Sequence, residues 1–187
     1  MNHLKTCAFI FLTALIFTSC KEDVLPKPKA HLRLEYQKPE YQLTNLDCPY
    51  NFEVSNEAIV KSNDKCWINI DYPKLKASIN ITYRPVNNNL KELFIEAEKL
   101  TFNHAIKADG ISSVPYSNTA KKTYGAIFEV TGNAASPIQF HVTDSTDNFL
   151  TGAVYFDIKP NYDSIKPAIS HLQKDIIQII ESLNWKQ

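Results

Sequence analysis

The 187-residue chain is short of glycine, with four, has one methionine, and shows no excess of either charge, 20 basic residues standing against 20 acidic ones. Gly110, Gly125, Gly132 and Gly152 are too scattered to build a phosphate-cradling loop or a nucleophile elbow. Balanced charge leaves no basic surface for nucleic acid and no polybasic membrane patch. Beyond position 20 the histidines are His31, His104, His141 and His171, too far apart for a local zinc motif. No later segment reaches the ~20 apolar residues of a transmembrane helix. Internal repeats and low-complexity tracts are missing too. These absences lead to the expectation of a protein that is not an enzyme and carries no cofactor or metal.

The amino terminus is more informative. Lys5 supplies a short positive region, and Cys7 to Phe17 follow as an apolar run in which Thr13 is the one clearly polar member. At about 1.5 Å per residue the run cannot span a hydrocarbon core of about 30 Å. It reads as a secretion signal that is removed. Thr18-Ser19-Cys20 stands where an ordinary cleavage site would read Ala-x-Ala, which resembles the lipobox of bacterial lipoproteins with Phe17 in place of the usual leucine. Residues 1–19 are therefore expected to be a lipoprotein signal peptide and Cys20 the lipid-attachment residue. The alternative is an unmodified Cys20 behind an ordinary site. In the lipoprotein reading the Cys20 sulfur takes a diacylglycerol, and the freed amine takes a further chain such as palmitate. Each buried CH₂ contributes about 0.8 kcal/mol, so two or three chains on one residue hold a domain at a membrane where one does not.

Removing residues 1–19 leaves 168, a one-domain length. Residues 20–30 carry charges and two prolines, Pro26 and Pro28, and read as an extended tether reaching up to roughly 30 Å at about 3.1 Å per residue. The globular domain is expected over 31–187. Cys48 and Cys66 remain as an even pair, and in an oxidising compartment a disulfide is the natural reading. Two buried thiols, or half of a metal site, are the alternatives.

Periodicity supplies the elements. Leu32, Leu34 and Tyr36 alternate with charged neighbours as in a strand, and Phe52 to Val54 is a short candidate. Cys66–Tyr72 and Lys76–Tyr83 alternate about Pro73-Lys74-Leu75 and predict a hairpin. Asn87-Asn88-Asn89 predicts a helix start, with Leu90, Leu93, Phe94, Ala97, Leu100, Thr101, His104 and Ala108 on one stripe and Gly110 as the stop. Strands are predicted over 123–131, 138–144 and 149–158. Asn161 to Ser164 predict the cap of a last helix, with Pro167 placed in its first turn and Ile165, Ala168, Ile169, Leu172, Ile176, Ile179, Ile180 and Leu183 as the apolar face. The expected fold is α+β: a largely antiparallel sheet with two amphipathic helices covering one face.

Few residues invite chemistry. His104 sits on an apolar stripe and reads as a core histidine, whereas His141 alternates within a strand and could face either way. Asp144, Asp147 and Asn148 cluster at a turn; turn formation explains them without a cation. Tyr162, Asp163 and Asp157 form another polar group near the last connection.

An ordered series of blocks resembles one family. Leu32-Arg33-Leu34-Glu35-Tyr36, Cys48-Pro49 and Cys66-Trp67-Ile68-Asn69-Ile70-Asp71-Tyr72-Pro73-Lys74-Leu75 are similar to the first half of the gliding-motility lipoprotein GldD family. His104-Ala105-Ile106-Lys107-Ala108-Asp109, Thr143-Asp144-Ser145 and Pro160-Asn161-Tyr162-Asp163-Ser164-Ile165 are similar to the second half, in the same order. The resemblance implies a Bacteroidetes cell-envelope lipoprotein needed for gliding, in a phylum where gliding depends on type IX secretion. It implies no catalytic residue, cofactor or metal. The expected partners are the membrane, reached through the lipid anchor, and other gliding or secretion envelope proteins. The outer membrane is favoured over the inner, and Lys21-Glu22-Asp23 also resembles a surface-export signal, although a solvated linker reads the same. A small-ligand or ion-binding envelope lipoprotein is the alternative function, and an envelope hydrolase using Asp and His from different strands is a third.

Overall fold

The computed structural model describes residues 39–103, 108–158 and 161–186. The expected signal peptide, Cys20, the tether and the strand at 32–36 lie outside the described residues, as do His31 and His104. In chain order the elements are β1 (Tyr41–Leu43), β2 (Tyr50–Asn51), β3 (Glu53–Ser55), β4 (Ile59–Ser62), β5 (Ile68–Tyr72), β6 (Ala77–Pro85) and α1 (Leu90–Asn103). They continue as β7 (Ala108–Asn118), β8 (Thr123–Gly132), β9 (Ile138–Thr143), β10 (Asn148–Phe156), α2 (Tyr162–Ser182) and β11 (Asn184–Trp185). Seven strands make one antiparallel sheet in the order β4-β5-β6-β10-β9-β8-β7, and β1-β3 and β11-β2 form two small ribbons.

The β5–β6 hairpin turns through a short 3₁₀ segment at Pro73–Leu75, closed by Lys76 at φ 48°. Ile68, Ile70 and Tyr72 on β5 and Ile79 and Ile81 on β6 are all buried on the same face. Ile138, Phe140 and Val142 of β9 and Leu150 and Val154 of β10 continue this face, against which α2 lays Ile165, Ile169, Leu172, Ile176, Ile179 and Ile180. At roughly 1.5–3 kcal/mol per fully buried large apolar side chain, this layer is the main source of stability.

The second helix lies elsewhere. Phe149, next to Leu150 on β10, joins a separate cluster with Leu93 and Ala97 of α1. Neighbouring strand residues point to opposite faces, so α1 and α2 flank the sheet from opposite sides. The expectation that both helices cover one face is corrected. Amphipathic stripes show that each helix packs on something; they do not say which side of the sheet it takes.

Three local expectations also change. The described part of α1 ends at Asn103, and Ala108 and Gly110 belong to β7, where Gly110 pairs with Thr131 and stops no helix. β7 is an edge strand, which is why Pro115 is tolerated there and why its outer residues show no apolar alternation. Asn161 makes no side-chain cap; instead Oδ1 of Asn133, in the β8–β9 turn, accepts the Tyr162 N–H at 3.1 Å. With α2 starting at Tyr162, Pro167 falls in its second turn and removes a helical donor that the packing of α2 must offset.

Candidate functional site

On its α1 side the sheet is polar by alternation. Asn69 on β5, Asn80 and Thr82 on β6, and Thr151 and Tyr155 on β10 are the residues between the core positions. Helix α1 packs against β9 and β10 on this face and leaves a cavity of about 260 Å³ between Ala97, Leu100 and Thr101 above and Asn80, Thr82, Gln139, His141, Thr151 and Tyr155 below. Gly152 admits the Phe140 ring to the space a Cβ would occupy on the α2 side of the sheet. Thr101 Oγ1 lies 3.1 Å from Oε1 of Gln139. Gln139 is 6 % exposed, and its Nε2 has no hydrogen-bond partner among the described residues. A buried N–H₂ without an acceptor costs about 1–3 kcal/mol, so it is a natural docking point for one.

His141 packs against three phenyl rings: Phe94 edge-on at 5.1 Å, Phe149 stacked at 6.0 Å and Phe128 tilted at 5.4 Å between centroids. Burial in this nest pushes its imidazole down to about 4, so it is neutral at physiological pH. Among the described residues no carboxylate lines the cavity with it.

The Asp144 cluster is structural. Its Oδ1 accepts the backbone N–H groups of Thr146, Asp147 and Asn148, each at 2.9 Å, and its Oδ2 accepts from Asn148 Nδ2 at 2.6 Å. Burial alone would raise this carboxyl, but the hydrogen bonds from Asn148, Thr146 and Asp147 outweigh it and hold it below the usual range. Asn148 Oδ1 in turn accepts the Tyr83 hydroxyl at 3.1 Å. No group of three His, Cys, Asp or Glu side chains suited to a metal occurs among the described residues. Asp157 is exposed, and Tyr162 and Asp163 stand at the start of α2.

A second constellation went unnoticed in the sequence. Asp175, 1 % exposed on the apolar face of α2, accepts the Tyr41 hydroxyl at 2.8 Å and lies 3.9 Å from His171 Nε2. Burial pushes the Tyr72 hydroxyl up, and the charge of the nearby Asp175 carboxylate raises it further. The signal was available: 175 falls in step with Leu172, Ile176 and Ile179, where an acidic residue needs polar partners inside. These residues do not line the cavity under α1.

Cys48 and Cys66 are joined by a disulfide with Cα atoms 5.5 Å apart. The Tyr50 hydroxyl donates to the Cys66 carbonyl at 2.6 Å, and Cys66 lies in the left-handed region, φ 56°. Trp67 follows directly, 43 % exposed beside the open half of the polar face. No described helix is long and apolar enough to cross a membrane.

These features define a helix-flanked antiparallel domain with a neutral, hydrogen-bonding recess on one face and a buried carboxylate on the other. Residues 21–185 match the family described as gliding motility lipoprotein GldD, and the chain belongs to that family. It is thus a gliding-motility lipoprotein, lipid-anchored in the cell envelope. A search of curated proteins finds no match to the chain.

Proposed function

We propose that this lipoprotein serves gliding as a non-enzymatic interaction component linked to type IX secretion, anchored through Cys20 in the outer membrane. The observation that carries the reading is the family match over residues 21–185. The outer side of α1 supports contact with a partner: Ile95 and Phe102, seven residues apart and so on one stripe, are 56 % and 57 % exposed. Clean deletion of the gene should abolish colony spreading, and a Cys20→Ala form should mislocalise. Normal spreading by the deletion strain would overturn the proposal. Complementation with Ile95→Glu/Phe102→Glu should restore protein level without restoring spreading.

A second reading, a small-ligand-binding envelope lipoprotein, is favoured by the cavity under α1 and the unpartnered Gln139 amide within it. The two readings differ in what must bind: the outer face of α1 in the first, the recess beneath it in the second.

A further inference from the structure

The cavity under α1 does not end at β6. A shallower depression of about 390 Å³ lies over β4, β5 and β6, and it shares Asn80 and Thr82 with the cavity. Its far wall is the indole of Trp67. The two spaces form one groove across the open face, running from the buried Gln139 amide to an exposed aromatic plane.

The groove is hydrogen-bonding and neutral. Its donors and acceptors are the hydroxyls of Thr82 and Thr151 and the amides of Gln139, Asn69 and Asn80, the last two already bonded to each other, Asn69 Nδ2 to Asn80 Oδ1, at 2.6 Å. The charged side chain along it, Lys61, is already paired with Asp71 at 2.8 Å. Among the described residues lining both spaces the charged group is already in an ion pair, which disfavours an ionic ligand, and an apolar one would leave the Gln139 amide without its acceptor. The Trp67 indole is held by its Nε1–H, which donates to the Tyr83 carbonyl at 3.3 Å, and the backbone N–H of the same residue donates to Asn63 Oδ1 at 3.0 Å. The Lys65 ammonium lies over the indole, 5.3 Å from its centroid, in an adjoining depression that Asp64, Cys66, Tyr83 and Pro85 share with Trp67.

We infer that this groove binds a short neutral oligosaccharide. This rests on the ligand-binding reading above and names its substrate class. A sugar ring presents an apolar C–H face suited to an indole and hydroxyls that both donate and accept, as the groove's amides and hydroxyls require. The cavity, near the small end of ligand pockets at about 300 Å³, takes one ring; the shared Asn80–Thr82 wall leads the next toward Trp67.

The test uses the full chain extracted in a detergent without a sugar head group. Chitotriose, maltotriose and a trigalacturonate are titrated in, with tryptophan fluorescence and saturation-transfer NMR as readouts. A saturable response to a neutral trisaccharide is expected. Trp67→Ala should abolish it, Trp67→Tyr should retain it, and Asn80→Ala, at an exposed position, should weaken it at least tenfold with unchanged melting temperature. A preference for chitotriose points to an acetamido-sugar polymer, and one for maltotriose to an unsubstituted polysaccharide. A flat titration with both neutral sugars, tighter binding of trigalacturonate, or a response unaltered in Trp67→Ala would overturn the assignment. Native mass spectrometry of the same extract separates the two levels of failure. A bound non-sugar molecule lost in Asn80→Ala keeps the ligand-binding reading while ending the glycan one; an empty protein with flat titrations ends both.

Discussion

Tyr41, on the first described strand, donates its hydroxyl at 2.8 Å to Asp175 in the last helix, 134 positions away. The bond ties β1 to α2 through a carboxylate that is almost wholly withdrawn from solvent. Tyr41→Phe should therefore destabilise the fold by about 1–3 kcal/mol, the usual cost of stripping a partner from a buried polar group. Urea denaturation would measure it. The double variant Tyr41→Phe/Asp175→Asn should cost less than the sum of the single changes, because the two groups act on each other.

His141 gives stability an acid limb. Its imidazole is held near 4 in the folded state against an ordinary 6.5, because burial disfavours the charged form. Between those values the unfolded chain binds a proton that the folded chain does not, so stability rises with pH. Above about pH 6.5 the contribution is flat, and acidification to pH 4 removes about 3 kcal/mol. His141→Phe should flatten this limb in denaturation curves taken at pH 4.5 and pH 7.

The Cys48–Cys66 bridge closes a loop across a sequence separation of 18. In the chain-entropy model such a link contributes about 3 kcal/mol. Reductant should lower the melting temperature by roughly 6–12 °C for a domain of this size. Cys48→Ser/Cys66→Ser should start from the lower value and ignore reductant. Two freely alkylated thiols in protein taken from its native compartment would contradict the bond.

Asp144 supports its turn by accepting four hydrogen bonds. Asp144→Ala should cost about 2 kcal/mol by calorimetry, in the range for charge-assisted bonds. Its lowered carboxyl sets the sign of the pH effect: the contribution is present above the unfolded value and fades as pH falls through the folded one. Calcium or a chelator should move the melting temperature of neither form.

The parts of the fold legible in the sequence are those whose burial repeats. Ile68–Ile70–Tyr72 and Ile79–Ile81 announce a half-buried hairpin, and the isoleucines of α2 announce a core helix. β7 was silent because an edge strand exposes most of its side chains, and Ser112, Ser113 and Pro115 suggest a loop. β1, β2 and β11, two or three residues each, are too short to carry a period. The groove was hidden for a different reason. Asn69, Asn80, Thr82 and Thr151 are the polar halves of strand alternations and look like an ordinary wet face; what makes them a site is the placement of α1 above them. Asp175 was obscured by the isoleucines around it.

The seven-stranded sheet consists of two meanders, β4-β5-β6 and β7-β8-β9-β10, whose only pairing with each other is β6 against β10. Each meander can zip up from local turns, but this seam joins Ala77 to Phe156 and Pro85 to Asn148. The seam cannot close until nearly the whole polypeptide is present, and α2, which seals the larger core, comes later still. A chain emerging amino end first therefore stays open through most of its passage across a membrane and locks only when its last forty or so residues arrive. Its topology keeps it threadable until delivery is almost complete.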